Sequence, residues 1–275
     1  MLPNSDKATD RPFIGTARDY ALYRVPYPES LINELRTHTK LTGVGNLLDL
    51  GCGPGRLTLP LSDYFSQCIA VDVEPEMVDY GKKLALAKGI KNIRWIVDSS
   101  ETIELPAHEF ELITIGEAFH RMNRPLVAKK AFRWLKPGGW ITLLWQDHLW
   151  HTDEHWARTM VDIINRWTRK KLLTRQEMVA AQSKDPFENY LSSNKFDSIE
   201  EKLFEVNYQW SIESIIGILR STSFASHAAL AGYFTNLETE LRRELPRCNP
   251  SGEYDQTITF GFIVGHRPIE TTICR

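Results

Sequence analysis

Short apolar runs bounded by glycine and proline alternate along this chain with longer stretches whose apolar residues recur every three or four positions. Val44, Leu47, Leu48 and Leu50 form a run of strand length that breaks into Gly51, Gly53 and Gly55. Leu57, Leu59, Leu61, Tyr64 and Phe65 then predict a helix opening at about Gly55. Further strands are predicted over Cys68–Val73, Asn92–Val97, Phe110–Ile115 and Trp140–Trp145, with helices opened by Glu74-Pro75-Glu76-Met77 and by Asn123 and Pro125. Lys136-Pro137-Gly138-Gly139 has the residue order of a type II turn. Upstream, Ala17–Pro28 predicts a short helix stopped by two prolines, and Pro28–Thr39 a helix with Leu31, Ile32 and Leu35 on one face. Strand and helix in alternation predict a parallel sheet.

After Gln146 the alternation stops. Helix is predicted from about His155 to Leu173 and around Gln176–Ala181, and a sixth strand over Glu200–Tyr208. Ser211 caps a helix carrying Ile212, Ile215, Ile216 and Leu219. Another runs from about Ser226, with Leu230, Phe234, Leu237, Leu241 and Leu245 on one stripe, until Pro246 stops it; Thr257–Val264 reads as a last strand. Residues 1–12 read as a disordered lead without a signal-peptide run, and no stretch reaches the ~20 apolar residues of a membrane span.

The glycine turn is the first candidate for chemistry. At the mouth of a helix, glycines let a ligand lie against main-chain N–H groups. The series Asp49-x-Gly51-x-Gly53-x-Gly55 differs from the G-x-G-x-x-G of a dinucleotide site, and Asp49 would repel a pyrophosphate, yet it can hold the loop or attract a cation. Across 275 residues the net charge is −2, and the densest basic cluster is Arg166–Lys171, which argues against nucleic acid as a partner. Cys52, Cys68, Cys248 and Cys274 show neither a C-x-x-C pair nor a framework spacing, which predicts reduced thiols in a soluble cytoplasmic protein. Asp147, His148, His151, Asp153, Glu154 and His155 cluster after the fifth strand; a metal site is one reading, and lining of a substrate mouth with Trp145, Trp150 and Trp156, without a metal, is the one adopted.

Leu48-Asp49-Leu50-Gly51-Cys52-Gly53-Pro54-Gly55 resembles the first motif of class I S-adenosylmethionine-dependent methyltransferases, whose cofactor carries an ammonium and a sulfonium and no phosphate. V-D-V-E-P-E-M-V at Asp72, Asp98-Ser99-Ser100-Glu101, A-F-H at His120 and L-K-P-G-G follow in that family's order. The resemblance covers Val44–Trp145 most strongly and extends to the small-molecule, trans-aconitate methyltransferase-like group through Y-x-x-Y-R-x-x-Y-P (Tyr20 to Pro28) and Leu219-Arg220-Ser221-Thr222-Ser223. It implies an α/β fold, a seven-stranded Rossmann-like sheet with a helical cap. Its divisions would be an arm and lid helix over 1–40, a cofactor-binding core over 41–147, and a cap with the last two strands over 148–275.

The same resemblance implies site residues. Asp49, Gly51, Gly53 and Gly55 would form the cofactor turn, and Asp72 would accept both ribose hydroxyls or serve only as a turn carboxylate. Val73 and Met77 would face adenine. Asp98 and the Ser99 amide would bond its edge, unless Asp98 is simply a cap, and Gly116 would line the crevice. Arg24 would meet the cofactor's carboxylate or remain a surface charge. Tyr20, Tyr23, Trp145 and Arg220 are the acceptor-binding candidates, with Tyr27 also in the lid. His120 is the candidate base or orienting group, while Arg121 and Glu117 stand where tryptophan and glutamine are common. The expected activity is methyl transfer to an oxygen or nitrogen of a small metabolite. Carboxyl methylation of a small acid, cofactor binding without catalysis, and a nicotinamide-dependent oxidoreductase are the alternatives. Oligomeric state is not legible.

Overall fold

The computed structural model describes residues 11–269. Of the lead expected over 1–12, residues 1–10 lie outside them, as does Cys274. The chain forms two compact units: one holds the stretch up to Pro26, Asp147–Ala181 and Glu205–Thr259, and the other Tyr27–Gln146, Gln182–Phe204 and the stretch from Phe260.

In chain order the elements are α1 (Ala17–Tyr23), α2 (Glu29–Thr39), β1 (Asn46–Leu50), α3 (Thr58–Leu61), β2 (Gln67–Asp72), α4 (Pro75–Ala87), β3 (Ile93–Val97), β4 (Phe110–Gly116), α5 (Arg124–Trp134), β5 (Leu135–Gln146), α6 (His155–Thr168), α7 (Arg175–Gln182), α8 (Phe187–Ser192), β6 (Asp197–Ser211), α9 (Ile212–Arg220), α10 (Phe234–Cys248) and β7 (Glu253–His266). The strands make one seven-stranded sheet in the order β3-β2-β1-β4-β5-β7-β6. β1 to β5 pair in parallel, and β7 runs antiparallel to β5, from Trp140↔His266 to Gln146↔Phe260. Strand order reverses between β1 and β4. In open α/β sheets ligands bind at such a switch point, outside the carboxyl ends of the strands.

The unit that begins at Tyr27 packs Leu48, Leu50, Val71, Ile113, Ile115, Trp134, Ile141 and Leu143 into one core. Apart from Trp134 of α5, these belong to the continuous apolar runs of β1, β2, β4 and β5, buried as a parallel sheet requires. In the other unit α1 packs on α9 and α6 on α10. Their apolar stripes are short and helical, which is why periodicity revealed them.

Several boundaries differ from expectation. The helix after the glycine turn starts at Thr58, because the three left-handed glycines keep the chain out of helical geometry until Leu59 N–H reaches Gly55 O at 2.9 Å. Lys136–Gly139 is a bulge within β5: Phe110 pairs Leu135 and Leu112 pairs Trp140, with Gly138 at φ +85°. Ala231 and Gly232, both at positive φ, delay α10 to Phe234. Pro246 lies inside α10, which runs two residues further. The short α8 was not foreseen.

Candidate functional site

The turn after β1 is built by conformation. Gly51, Gly53 and Gly55 have φ of +66°, +54° and +90°, the left-handed region that a side chain disfavours. Space excludes side chains as well: a Cβ on Gly51 would lie 2.6 Å from Ala118 Cβ, and one on Gly55 2.8 Å from Trp95 Cη2. Trp95, which sequence reasoning passed over, also fills the gap at Gly81 of α4, so one indole fixes both the turn and the helix behind it.

Two carboxylates hold this turn. Asp49 is buried, and its oxygens accept from the hydroxyls of Thr58 and Thr114. Burial pushes its pKa up to about 6, against the lowering effect of those hydroxyls. Asp49 therefore braces the turn from inside the unit. Asp72, at the end of β2, accepts from Gly53 N–H at 2.8 Å and from Glu74 N–H at 2.9 Å. Burial also raises the Asp72 pKa, against those two amide bonds. Next to it Val73 is 63% exposed, whereas Met77 is 3% exposed, on the buried side of α4. Of the two apolar candidates, Val73 is the one presented outward.

Asp98 N–H donates to Asp72 O at 3.1 Å, tying the ends of β2 and β3 together. Its Oδ1 accepts from Ser99 N–H at 2.7 Å and from the Thr102 hydroxyl at 2.6 Å, the capping arrangement that the sequence left open. Gly116 closes β4 against Leu57 and Tyr27, whose atoms would stand 2.7 Å from an added Cβ. Glu117 follows with φ +56°, a conformation rare for a residue with a side chain. Its N–H donates to Leu144 O at 2.9 Å and its Oε1 accepts from Gln146 N–H at 3.1 Å.

Arg56, Gln146 and Tyr27 are joined beside the end of β5. The Arg56 guanidinium lies over the Tyr27 ring at 4.6 Å, and its Nη2 donates to Gln146 Oε1 at 2.8 Å. Sequence reasoning gave Arg56 and Gln146 no role. The one available signal was their position, directly after the glycine motif and at the end of the fifth strand.

His120 sits in a short 3-10 turn, Phe119–Arg121, beyond β4. Phe119 anchors the turn by edge contacts with Phe187 and Tyr190 of α8, and His120 itself is exposed. Partial removal from water, with the charges of Arg121 and Arg124, holds its pKa down to about 4. The imidazole is therefore neutral at physiological pH and a weak proton acceptor. Trp145 packs against Gly261 of β7 and donates to Glu201 Oε1 at 3.2 Å, so its ring is committed to the sheet.

The remaining candidates lie in the other unit, where α1, which carries Tyr20 and Tyr23, packs on α9 and Arg24 bonds the residue that follows α9. Arg24 donates from Nε to Ser221 Oγ at 2.9 Å and from Nη2 to Ser221 O at 3.1 Å, with Tyr20 against its guanidinium. Tyr23 fills the space a side chain at Gly217 would need. Arg220 pairs with Glu238 at 2.9 Å and lies over Phe234. A cavity of about 1340 Å³ in the same unit is lined by Trp150, His151, Arg175, Tyr208 and Gln256 among others. Beside it Arg175 pairs with buried Asp147 at 3.3 Å. Trp156 is instead buried against Tyr254. Among the described residues, no group of three or more His, Cys, Asp or Glu side chains is placed to hold a metal ion.

Residues 47–139 match the model of a methyltransferase domain family. The uncharacterized methyltransferase YcgJ of Bacillus subtilis is 34% identical over 103 residues, 37% of this chain and 40% of that protein. An uncharacterized methyltransferase of Schizosaccharomyces pombe is 30% identical over 136 residues, 49% of this chain and 52% of that protein. The match thus spans about half the length of the curated relatives, or less. The solved structure of YcgJ superposes with a TM-score of 0.54 at 18% identity, covering 88% of this chain and 99% of that one. Phosphoethanolamine N-methyltransferase 2 of Haemonchus contortus, solved with phosphomonomethylethanolamine and S-adenosylhomocysteine, superposes with a TM-score of 0.54 at 14% identity, covering 97% of this chain and 61% of that one.

Proposed function

We propose that this chain, whose residues 47–139 carry a methyltransferase domain and whose sheet has the Rossmann-like class I methyltransferase form, binds S-adenosylmethionine and transfers its methyl group to an oxygen or nitrogen of a small metabolite. One observation carries the reading: a turn of three left-handed glycines at the end of β1, held by Asp72 through the Gly53 amide. The turn fits a nucleoside with an amino-acid tail. Its left-handed glycines turn the main chain sharply at the end of β1, Asp72 offers acceptor oxygens for hydroxyls, and Val73 offers an exposed apolar surface for a base.

When bound, S-adenosylmethionine supplies a methyl already activated by sulfonium. The chain's residues then bind, orient and exclude water. Orientation alone can supply roughly 7–11 kcal/mol. Gly51, Gly53, Gly55, Asp72, Val73, Asp98, Ser99 and Gly116 are assigned to the cofactor, Asp49 to bracing the turn, and His120 to orienting the acceptor. Tyr20, Tyr23, Trp145 and Arg220 keep their acceptor-side assignment from the sequence resemblance alone. The division into arm (1–40), core (41–147) and cap (148–275) is part of the same proposal. So is a cytoplasmic location, in keeping with free thiols at Cys52, Cys68 and Cys248 and with the finding that no helix among the described residues is long and apolar enough to cross a membrane.

Arg121 and Arg124 beside His120 favour a second reading, carboxyl methylation of a small acid. A carboxylate needs no proton removed, which suits a neutral histidine of low basicity. Calorimetric titration with S-adenosylmethionine, S-adenosylhomocysteine and NAD tests the cofactor. Saturable binding of the first two, lost in Asp72→Ala and absent for NAD, is expected; failure of both sulfur nucleosides to bind refutes the reading. Methyl transfer to a panel of small carboxylates, alcohols and amines separates the acceptor classes.

A further inference from the structure

We infer that Arg56 and Glu117 form a charge-matched clamp for the amino-acid end of the cofactor, with Arg56 taking its carboxylate and Glu117 its ammonium. This inference rests on the cofactor reading above and adds two residues that neither the glycine motif nor the resemblance assigns. The resemblance gives the carboxylate to Arg24; the present inference gives it to Arg56.

The argument begins from a closed ring of contacts. Gly116, lacking a Cβ, leaves room for the Tyr27 hydroxyl, and the Tyr27 ring carries the Arg56 guanidinium at 4.6 Å. Arg56 donates to the side-chain oxygen of Gln146 at 2.8 Å, and Glu117 accepts from the main-chain amide of the same Gln146 at 3.1 Å. Glu117 is the next residue after Gly116. A cation and an anion are thus fastened to opposite polar groups of one residue, at the ends of β4 and β5. Arg56 reaches this place directly from the last glycine of the turn.

Chemistry supplies the match. An α-amino acid bears its carboxylate and its ammonium on a single carbon, so one cation and one anion held close together match it. The planar guanidinium suits a carboxylate, and a carboxylate side chain accepts from an ammonium. The left-handed backbone at Glu117 is consistent with a residue held there for its side chain. Gln146 and Tyr27 are buried and fix both charges in place.

The test compares S-adenosylhomocysteine with 5′-methylthioadenosine, which lacks the amino-acid end, on wild type, Arg56→Ala, Arg56→Lys and Glu117→Gln. Wild type should bind S-adenosylhomocysteine more tightly. Arg56→Ala and Glu117→Gln should each weaken it roughly ten- to a hundredfold and leave 5′-methylthioadenosine affinity unchanged, with Arg56→Lys recovering part of the loss. Wild type alone gives a second reading: decarboxylated and deaminated S-adenosylhomocysteine should both bind worse than the parent. If wild type binds neither parent nucleoside, the cofactor reading falls and the clamp with it. If it binds both, and the variants keep the wild-type ratio or weaken both ligands equally, the clamp alone is overturned.

Discussion

The main-chain amide of Gly53 donates to Asp72 Oδ2 at 2.8 Å, so the end of the second strand holds the turn that ends the first. The other oxygen of Asp72 takes the Glu74 amide at 2.9 Å. Asp72→Asn keeps one acceptor oxygen and Asp72→Ala keeps none. Affinity for S-adenosylhomocysteine should fall in the order wild type, Asn, Ala, by roughly tenfold or more at each step. Titration calorimetry checks the order; equal affinity in all three would remove Asp72 from the site.

The glycines of the turn should resist replacement for two separable reasons. Gly55→Ala places its methyl against Trp95 and Leu59 at φ +90°, whereas Gly89→Ala, at φ +71°, meets nothing within 4 Å. Both incur the left-handed penalty of roughly 1–2 kcal/mol, and only Gly55 adds the collision. Urea denaturation should therefore show the larger loss for Gly55→Ala, by about 1–3 kcal/mol.

Asp49 gives stability a pH signature. Its folded pKa of about 6 lies above the ordinary 3.8, so the folded chain binds the proton more tightly than the unfolded one. The stabilisation from this group is fully present below pH 3.8 and is lost as pH rises through 6. The stability of wild type minus that of Asp49→Asn should fall by on the order of 2–3 kcal/mol between pH 4 and pH 7. A difference that grows with pH would contradict the burial argument.

His120 should titrate with a midpoint near pH 4, followed by the NMR shift of its ring protons, and should lend no inflection to the rate of methyl transfer between pH 5.5 and 8. Replacing Arg121 and Arg124 by glutamine should move the midpoint upward, because two nearby cations help to disfavour the imidazolium. A wild-type midpoint near 6.5 would restore the case for a general base.

Arg24 and Ser221 are expected to be coupled. Ser221→Ala removes the hydroxyl acceptor and keeps the carbonyl one, so the bond from Arg24 Nε to Ser221 Oγ should give a double-mutant interaction energy of about 1–2 kcal/mol between Arg24→Ala and Ser221→Ala. Additive thermal destabilisation would show that the hydroxyl bond contributes nothing.

What was legible in the sequence was local. Leu47–Leu50 running into three glycines, Asp72 at a strand end and the alternation through Trp145 are signals within a few residues, set by side-chain period and glycine geometry. The seven-stranded sheet and its antiparallel last strand followed from those signals joined to the family resemblance. What joins residues far apart was not legible. Arg56 and Gln146 are separated by 90 positions, and no local pattern announces that they bond. Trp95 reads as one more apolar residue in a strand until Gly55 and Gly81 are seen against its ring. Nor does sequence order show that Glu117 is left-handed, or that Arg220 already has Glu238 for a partner. Pro246 misled for a related reason: its local preference is to stop a helix, and the burial of Leu241 and Leu245 outweighs it.

β7 lies between β5 and β6, although it follows both in the chain. During synthesis β6 emerges with its place in the sheet still out of reach, since the strand that must separate it from β5 comes some forty residues later. Until Phe260–His266 arrive, the backbone of Trp140–Gln146 presents an open edge able to pair with any extended segment. The sheet is thus closed by an insertion at a late step, with long-range pairing and the slow folding it brings. Nascent chains stalled before residue 253 should be sticky at that edge, and a chaperone that covers strand edges should matter more to this protein than to one whose sheet grows outward in chain order.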